Sequence, residues 1–351
     1  MSRLLSPPLF VPLLVLRVRN ASFPDLRRTR HQAPRDSRHV RRTRLARRRG
    51  YGSDACIEQY KELKALGVNY VSLSNFGWMS DITKPDLRFA RDRTLGEGDT
   101  GKAIDDARVL GLKVFLKPHL WAGEFARGKW HGDVAMTNPA DWDAFFENYT
   151  DYIVTCAKVA EETSTELFCI GLEYVGTSKL ADRWRKVIAA VRAVYKGKIT
   201  YSAAFAEWKD VQFCDALDVI SISAYFPVAT VDRATKAELR AGWATVYRDL
   251  EGLHRKTGKR ILFCELGYTP APKAGREPWS YDIDEVDKTY QALLFHVALE
   301  EAAKRPFIDG VFLWKWFSAP LTGQRPGREP FAIQPRPQLI ETLKQQWSHA
   351  Q

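Results

Sequence analysis

Short apolar runs alternate along most of the chain with longer segments whose apolar residues recur at helical spacing. From Tyr51 onward, the runs at 68–73, 113–118, 167–173, 199–202, 217–223, 260–265 and 310–314 predict seven strands. Between them, helices are predicted over 53–65, 99–110, 140–162, 180–195, 236–256 and 284–303. Ser53 is placed as an N-cap, and Gly67, Gly111 and Gly258 as closing residues. Runs rich in Ile, Leu, Val, Phe and Cys, with no polar alternation, read as strands buried on both faces, the condition of a parallel sheet. Strand and helix in regular alternation predict an α/β chain, a (β/α)8 TIM barrel, and argue against a bundle or a sandwich.

Such a barrel needs an eighth strand ahead of Ser53, and residues 9–18 are the sole β-like candidate there. Either they serve as strand one across an odd linker, or the proper first strand is missing. Residues 75–98, with Trp78, and the stretch around Trp130 read as loops, and neither an internal repeat nor a second domain is discernible.

Charge divides the chain at about residue 50. The formal net charge is +11, but residues 1–50 hold fourteen Arg, no Lys and two acids (Asp25 and Asp36), or 14 − 2 = +12. The remainder therefore sums to 11 − 12 = −1, so the basic balance gives no ground for a nucleic-acid-binding domain. An Arg-rich segment with little apolar content cannot offset its ordering entropy by burial. Residues 1–50 are read as a disordered leader or a mis-assigned start, with a basic arm for RNA or a membrane surface as the alternative. Residues 51–351 are read as the catalytic domain. Leu9 to Leu16 could pass for a signal-peptide core, but Pro12 interrupts it and no clean cleavage site follows, so export stays undecided. No apolar stretch reaches the roughly 18 residues needed to span a bilayer. The five cysteines are scattered without CxxC spacing and read as small buried hydrophobes.

Two of the strands end abruptly on a glutamate, Glu173 and Glu265, which lie 265 − 173 = 92 residues apart. Catalytic groups of (β/α)8 barrels sit at the C-terminal tips of the strands. One strand-end glutamate is ordinarily a solvated charge or a cap, whereas two at one end of a barrel form the pair that glycoside hydrolysis requires. A retaining glycosidase uses one carboxyl as acid/base and the other, about 5 Å away, as nucleophile. Tyr225 ends the strand before that of Glu265, from which its hydroxyl can donate to that carboxylate. Trp314 ends the last strand, where an indole can floor a sugar subsite. Lys117 and His119 share one side of a strand, and Trp121 lies just beyond them; these residues complete the candidate substrate-binding set. Strand-end Tyr and Trp serve equally as packing, and a strand-end His often only as a hydrogen-bonding group. No metal spacing, phosphate loop or nucleophile elbow occurs.

The segments Leu116-Lys-Pro-His119, Phe168-Cys-Ile-Gly-Leu-Glu173, Trp184-Arg185, Leu217-Asp218 with Ala224-Tyr-Phe-Pro227, Phe263-Cys-Glu-Leu-Gly-Tyr268 and Val311-Phe-Leu-Trp-Lys-Trp316 resemble glycoside hydrolase family 113. These are clan A (β/α)8 enzymes whose characterised members are retaining β-1,4-mannanases. The resemblance covers about residues 51–317. It implies Glu173 as acid/base, Glu265 as nucleophile, Tyr225 and Trp314 around the −1 subsite, and Lys117 and His119 nearby. It also implies a β-linked polysaccharide or oligosaccharide substrate and no cofactor; with the charge balance, the apolar runs and the lack of metal spacing, the expectation is no metal, no nucleic-acid partner, no membrane span and a monomer. Three positions depart from the family's pattern: Leu172 where a small polar residue is usual, Ser202-Ala-Ala-Phe205 in place of an Ala-Asn-Trp-like run, and Ser223 where an aspartate is expected. Another β-hexose specificity and a non-catalytic carbohydrate-binding barrel are the competing readings.

Overall fold

The computed structural model describes residues 12–18, 49–96, 98–320, 329–334 and 336–348, with 12–18 and 346–348 as backbone only. The rest of the Arg-rich leader, and the readings placed on it, lie outside the described residues.

All seven strands expected from the apolar runs are present. They are β2 (Tyr70–Leu73), β4 (Lys113–Leu116), β6 (Leu167–Leu172), β7 (Lys198–Ala204), β8 (Ile220–Ser223), β9 (Ile261–Leu266) and β10 (Ile308–Phe317). They pair in parallel, and with β1 (Pro12–Val18) they close a barrel in the order β1-β10-β9-β8-β7-β6-β4-β2. The fold class is that of the (β/α)8 barrel. One difference from the sequence expectation concerns its eighth strand. That position is not vacant: β1 fills it, but antiparallel to both β2 and β10. Residues 12–18 fall within the β-like candidate at 9–18, and direction cannot be read from an apolar run. Residues 12–18 therefore pair into the barrel wall.

Among the described residues, seven helices accompany the strands: α1 (Asp54–Ala65), α2 (Thr100–Val109), α3 (Pro139–Glu162), α4 (Ala181–Val194), α5 (Lys236–Thr257), α6 (Lys288–Ala303) and α7 (Pro337–Ser348). Their starts follow from side chains that satisfy otherwise unpaired amides. Ser53 accepts from Cys56 N–H, Asn138 from Asp141 N–H ahead of Pro139, and Thr235 forms a reciprocal box with Glu238. α7 was not foreseen.

Side chains alternate across the wall. Phe115, Leu167, Cys169, Leu262, Cys264 and Phe312 fill the lumen together with Tyr70 and Val219, and Trp314 caps this core. The opposite parity packs against the helices in one continuous layer that includes Trp184, Trp243 and Phe263. Above the C-terminal ends of β2 and β4 the chain continues into a two-stranded parallel ribbon, β3 (Phe76–Trp78) with β5 (His119–Trp121), in which Phe76 pairs with His119 and Trp78 with Trp121. From sequence, 75–98 reads as loop. A three-residue strand carries too little periodicity to be seen.

Candidate active site

Alternation alone would place Glu265 on the wrong face. Leu262 and Cys264 point into the lumen, so the next residue should point outward, as Phe263 does. The register prevents this: Ile222 pairs with Phe263, but Ser223 pairs with Glu265, so β9 carries one extra residue. This bulge turns two successive side chains inward and aims Glu265 at the barrel mouth, a common use of bulges near reactive centres. β6 carries a comparable irregularity, where Cys169 pairs with Thr200 and Leu172 with Ser202.

Glu173 follows β6 in the left-handed region, at φ 53°. Its N–H donates to Ser202 O (2.8 Å) and its carbonyl accepts from Val175 N–H (2.9 Å). Gly171, two residues earlier, is required by space. A Cβ there would lie 2.5 Å from Trp184 Cη2 and 2.8 Å from Tyr201 Cε2, both rings of the packed outer layer. Gly171→Ala should therefore lower stability by about 1–3 kcal/mol through overpacking. Denaturant unfolding measures this, and an unchanged midpoint would mean that the rings move aside freely.

The two carboxyls meet different surroundings. Glu265 is buried and its carboxylate is ion-paired with the wholly buried Lys117 ammonium. Tyr225, half-buried, donates its hydroxyl to the other carboxylate oxygen at 2.9 Å. Burial, the largest single influence, works against the charge on Lys117, but the Glu265 charge and hydrogen bond together with the neighbouring Cys264 and Cys169 hold the ammonium's pKa above the ordinary value. Glu173 has no cation paired to it among the described residues. Burial first, and the nearby Glu265 charge second, push its carboxyl up to about 8, while a hydrogen bond from Ser223 and the more distant Lys117 pull the other way. One carboxyl is thus ion-paired and accepts from a tyrosine, while the other favours its proton.

His119 is fixed on all sides. Its N–H donates to Asn75 O (2.8 Å) and its carbonyl accepts from the Tyr152 hydroxyl (2.9 Å). Its Nε2 lies 3.2 Å from Ser74 Oγ, and its ring lies nearly parallel to that of Trp314, with centroids 6.4 Å apart and planes 14° apart. Burial, reinforced by Lys117, keeps it neutral well below the usual histidine range. Lys117 lies 5.4 Å from the Trp314 ring centre, so the indole borders the ion pair. Trp121 is half-buried in an aromatic group with Phe76, Trp78 and Phe125.

The structure therefore brings Lys117, His119, Glu265, Tyr225 and Trp314 into one cluster. Glu173 is joined to it by charge, and Trp121 borders it through Phe76. Tyr225 donates to Glu265 as the sequence suggested. Lys117 faces inward as expected, but its ammonium is engaged by Glu265.

Two residues were missed. His131, from the long loop before α3, packs against His119 (ring centroids 5.7 Å), and its Nε2–H donates to Leu120 O at 3.2 Å. Burial lowers its pKa to about 4, so it stays neutral, with Nδ1 left as an acceptor. Glu207, in the turn after β7, is buried near Glu173. Neither lies at a strand tip, so neither carries a periodic signal.

At the departures, Leu172 packs in the helix-facing layer, Ala204 donates its N–H to Glu207 Oε2 (2.9 Å), and the Ser223 hydroxyl reaches Glu173. Among the described residues, no group of three or more His, Cys, Asp or Glu is placed to hold a metal ion, and no helix is long and apolar enough to cross a membrane.

Known structures share this fold. The β-mannanase AaManA from Alicyclobacillus acidocaldarius, solved with ManMIm, is 25% identical with a TM-score of 0.74, over 86% of this chain and 93% of its own. A further GH113 β-1,4-mannanase is 26% identical with a TM-score of 0.73, over 85% of this chain and 94% of its own. The endoglucanase Cel5A from Thermotoga maritima, at 13% identity and a TM-score of 0.52 over 82% of this chain and 89% of its own, shares the fold alone. No curated protein matches the sequence. The sequence profile of Glycoside Hydrolase Family 113 matches residues 43–328, well over half the chain. The chain therefore belongs to glycoside hydrolase family 113.

Proposed function

We propose that this glycoside hydrolase is a retaining, endo-acting β-mannanase, and that residues 51–351, with β1 completing the barrel wall, form its catalytic unit. The observation that carries the reading is the split between the two glutamates: one ion-paired and accepting from a tyrosine, the other forced toward its protonated form. Titratable pairs whose surroundings drive their protonation apart divide naturally into nucleophile and acid. The Glu265 carboxylate attacks the anomeric carbon while the C–O bond to the leaving sugar breaks and takes its electrons. Glu173 gives its proton to that oxygen. Water then attacks the same carbon as its bond to Glu265 breaks, and Glu173 accepts the water's proton. No cofactor enters. Trp314, His119 and Trp121 border the sugar held against Glu265.

Mannan as substrate is supported by the family and by the β-1,4-mannanase neighbours. The test incubates the protein with mannan, glucan and xylan oligosaccharides and measures reducing ends. Preferential cleavage of mannan, lost in Glu173→Gln, supports the reading. Binding without cleavage across the panel would make the chain a carbohydrate-binding barrel.

Tyr225→Phe removes one hydrogen bond to a charged group, worth about 1.5–3 kcal/mol. It should lower kcat/KM on the order of 10- to 100-fold with little loss of fold, and steady-state kinetics beside circular dichroism separates the two effects.

A further inference from the structure

Glu207 lies outside the proposed reaction, yet it is 1% exposed and, among the described residues, has no ion-pair partner within contact. Its carboxylate accepts from Tyr201 OH (2.7 Å) and Ala204 N–H (2.9 Å), and also from the Ser178 hydroxyl. Burial raises its pKa, against these three donors. A carboxyl buried at this cost, met by neutral donors alone, ties together the groups that donate to it.

The donors lead to Glu173. The Tyr201 hydroxyl, whose proton goes to Glu207, accepts from Tyr174 N–H at 2.9 Å. Tyr174 directly follows Glu173, whose left-handed backbone is uncommon for a residue with a side chain and persists where its surroundings over-determine it. Ser178 closes the short turn after Tyr174 and also accepts Gln212 N–H through its carbonyl (3.3 Å). The turn from 173 to 178 is thus tied at both ends to one carboxylate.

We propose that Glu207 is a positioning residue for Glu173, locking through Tyr201 and Ser178 the left-handed turn that presents the acid/base to the glycosidic oxygen. This rests on the role proposed above for Glu173. Glu207 also acts through its charge, which favours the proton on Glu173. The other charged groups acting on Glu173 are Glu265 and Lys117, and around Glu207 the further charge is Asp210.

The test compares Glu207→Gln and Tyr201→Phe with the wild type, by kinetics on mannan oligosaccharides and by 13C-carboxyl NMR titration of Glu173, assigned with Glu173→Gln. Displacements near 1 Å can cost about 10²-fold in rate. Glu207→Gln should therefore lower kcat on the order of 10- to 100-fold and move the Glu173 titration to lower pH, because a negative neighbour is gone. Tyr201→Phe should lower kcat to a similar degree with KM nearly unchanged. An unshifted titration with full kcat in folded Glu207→Gln, or full kcat in Tyr201→Phe, overturns the proposal. Should Glu207→Gln not fold, Tyr201→Phe and Glu207→Asp carry the same comparison. A wild type that hydrolyses nothing would count against the proposed function, while the NMR titration would still decide whether Glu207 sets the state of Glu173.

Discussion

Replacing Glu265 by alanine is expected to abolish turnover, lowering kcat on the order of 10⁴-fold or more, as removal of a covalent nucleophile does elsewhere. The bulge in β9 delivers this single carboxylate to the mouth, and no neighbouring carboxyl shares its ion pair with Lys117 among the described residues. The substitution also leaves Lys117 buried without its counter-charge, a loss of about 3–5 kcal/mol when one partner of a buried pair is removed. The stability loss must therefore be separated from the loss of chemistry. Azide does so: a small anion entering the vacated face restores cleavage and yields the α-glycosyl azide. Rescue with that configuration identifies the nucleophile. A variant that keeps a tenth of wild-type activity unaided would remove Glu265 from the role.

Replacing Glu173 by glutamine should lower kcat on natural oligosaccharides by about 10²–10⁴-fold, the span of general acid–base catalysis. The loss should be far smaller in the first step for an aryl glycoside whose leaving group needs no proton. Azide added to Glu173→Ala should yield the β-glycosyl azide, opposite to the product from Glu265→Ala. The pH profile carries the sign. Glu173 must be protonated to donate, so kcat/KM falls as pH rises through its raised value of about 8, and that alkaline limb should vanish in Glu173→Gln.

Stability gives a second reading of the same group. Its folded pKa, about 8, exceeds the ordinary 4.5, so the folded state holds the proton more tightly. The contribution of Glu173 to stability then declines as pH rises between those two values and is level on either side. Glu173→Gln lacks this decline, so its melting temperature should gain on the wild type across that window. Parallel melting curves from pH 4 to 9 would contradict the burial argument.

Much of this was legible in sequence because buried parallel strands need uninterrupted apolar runs, and a glutamate ending such a run is conspicuous. The seven apolar runs alternating with helices predicted the barrel, and those at 167–173 and 260–265 end on its two carboxyls. The direction of β1 was not legible, since an apolar run looks the same in either orientation. Nor was the bulge that turns Glu265 inward, because register is a property of two strands together. The parity of Leu262 and Cys264, taken alone, sends Glu265 to the helix layer. His131 and Glu207 come from a loop and a turn, where no periodicity marks a residue, and only the folded chain brings them beside His119 and Glu173. Tyr225 was legible because its strand neighbours that of Glu265, which places the two tips side by side.

The measurement that bears most directly on the two-carboxylate account is proton NMR of the first products released from a β-1,4-mannan oligosaccharide, recorded before mutarotation. Two displacements at one carbon return the starting configuration, so β-configured reducing ends should appear first and should be absent in Glu265→Ala. α-Configured ends appearing first would mean a single displacement by water, and would contradict Glu265 as nucleophile.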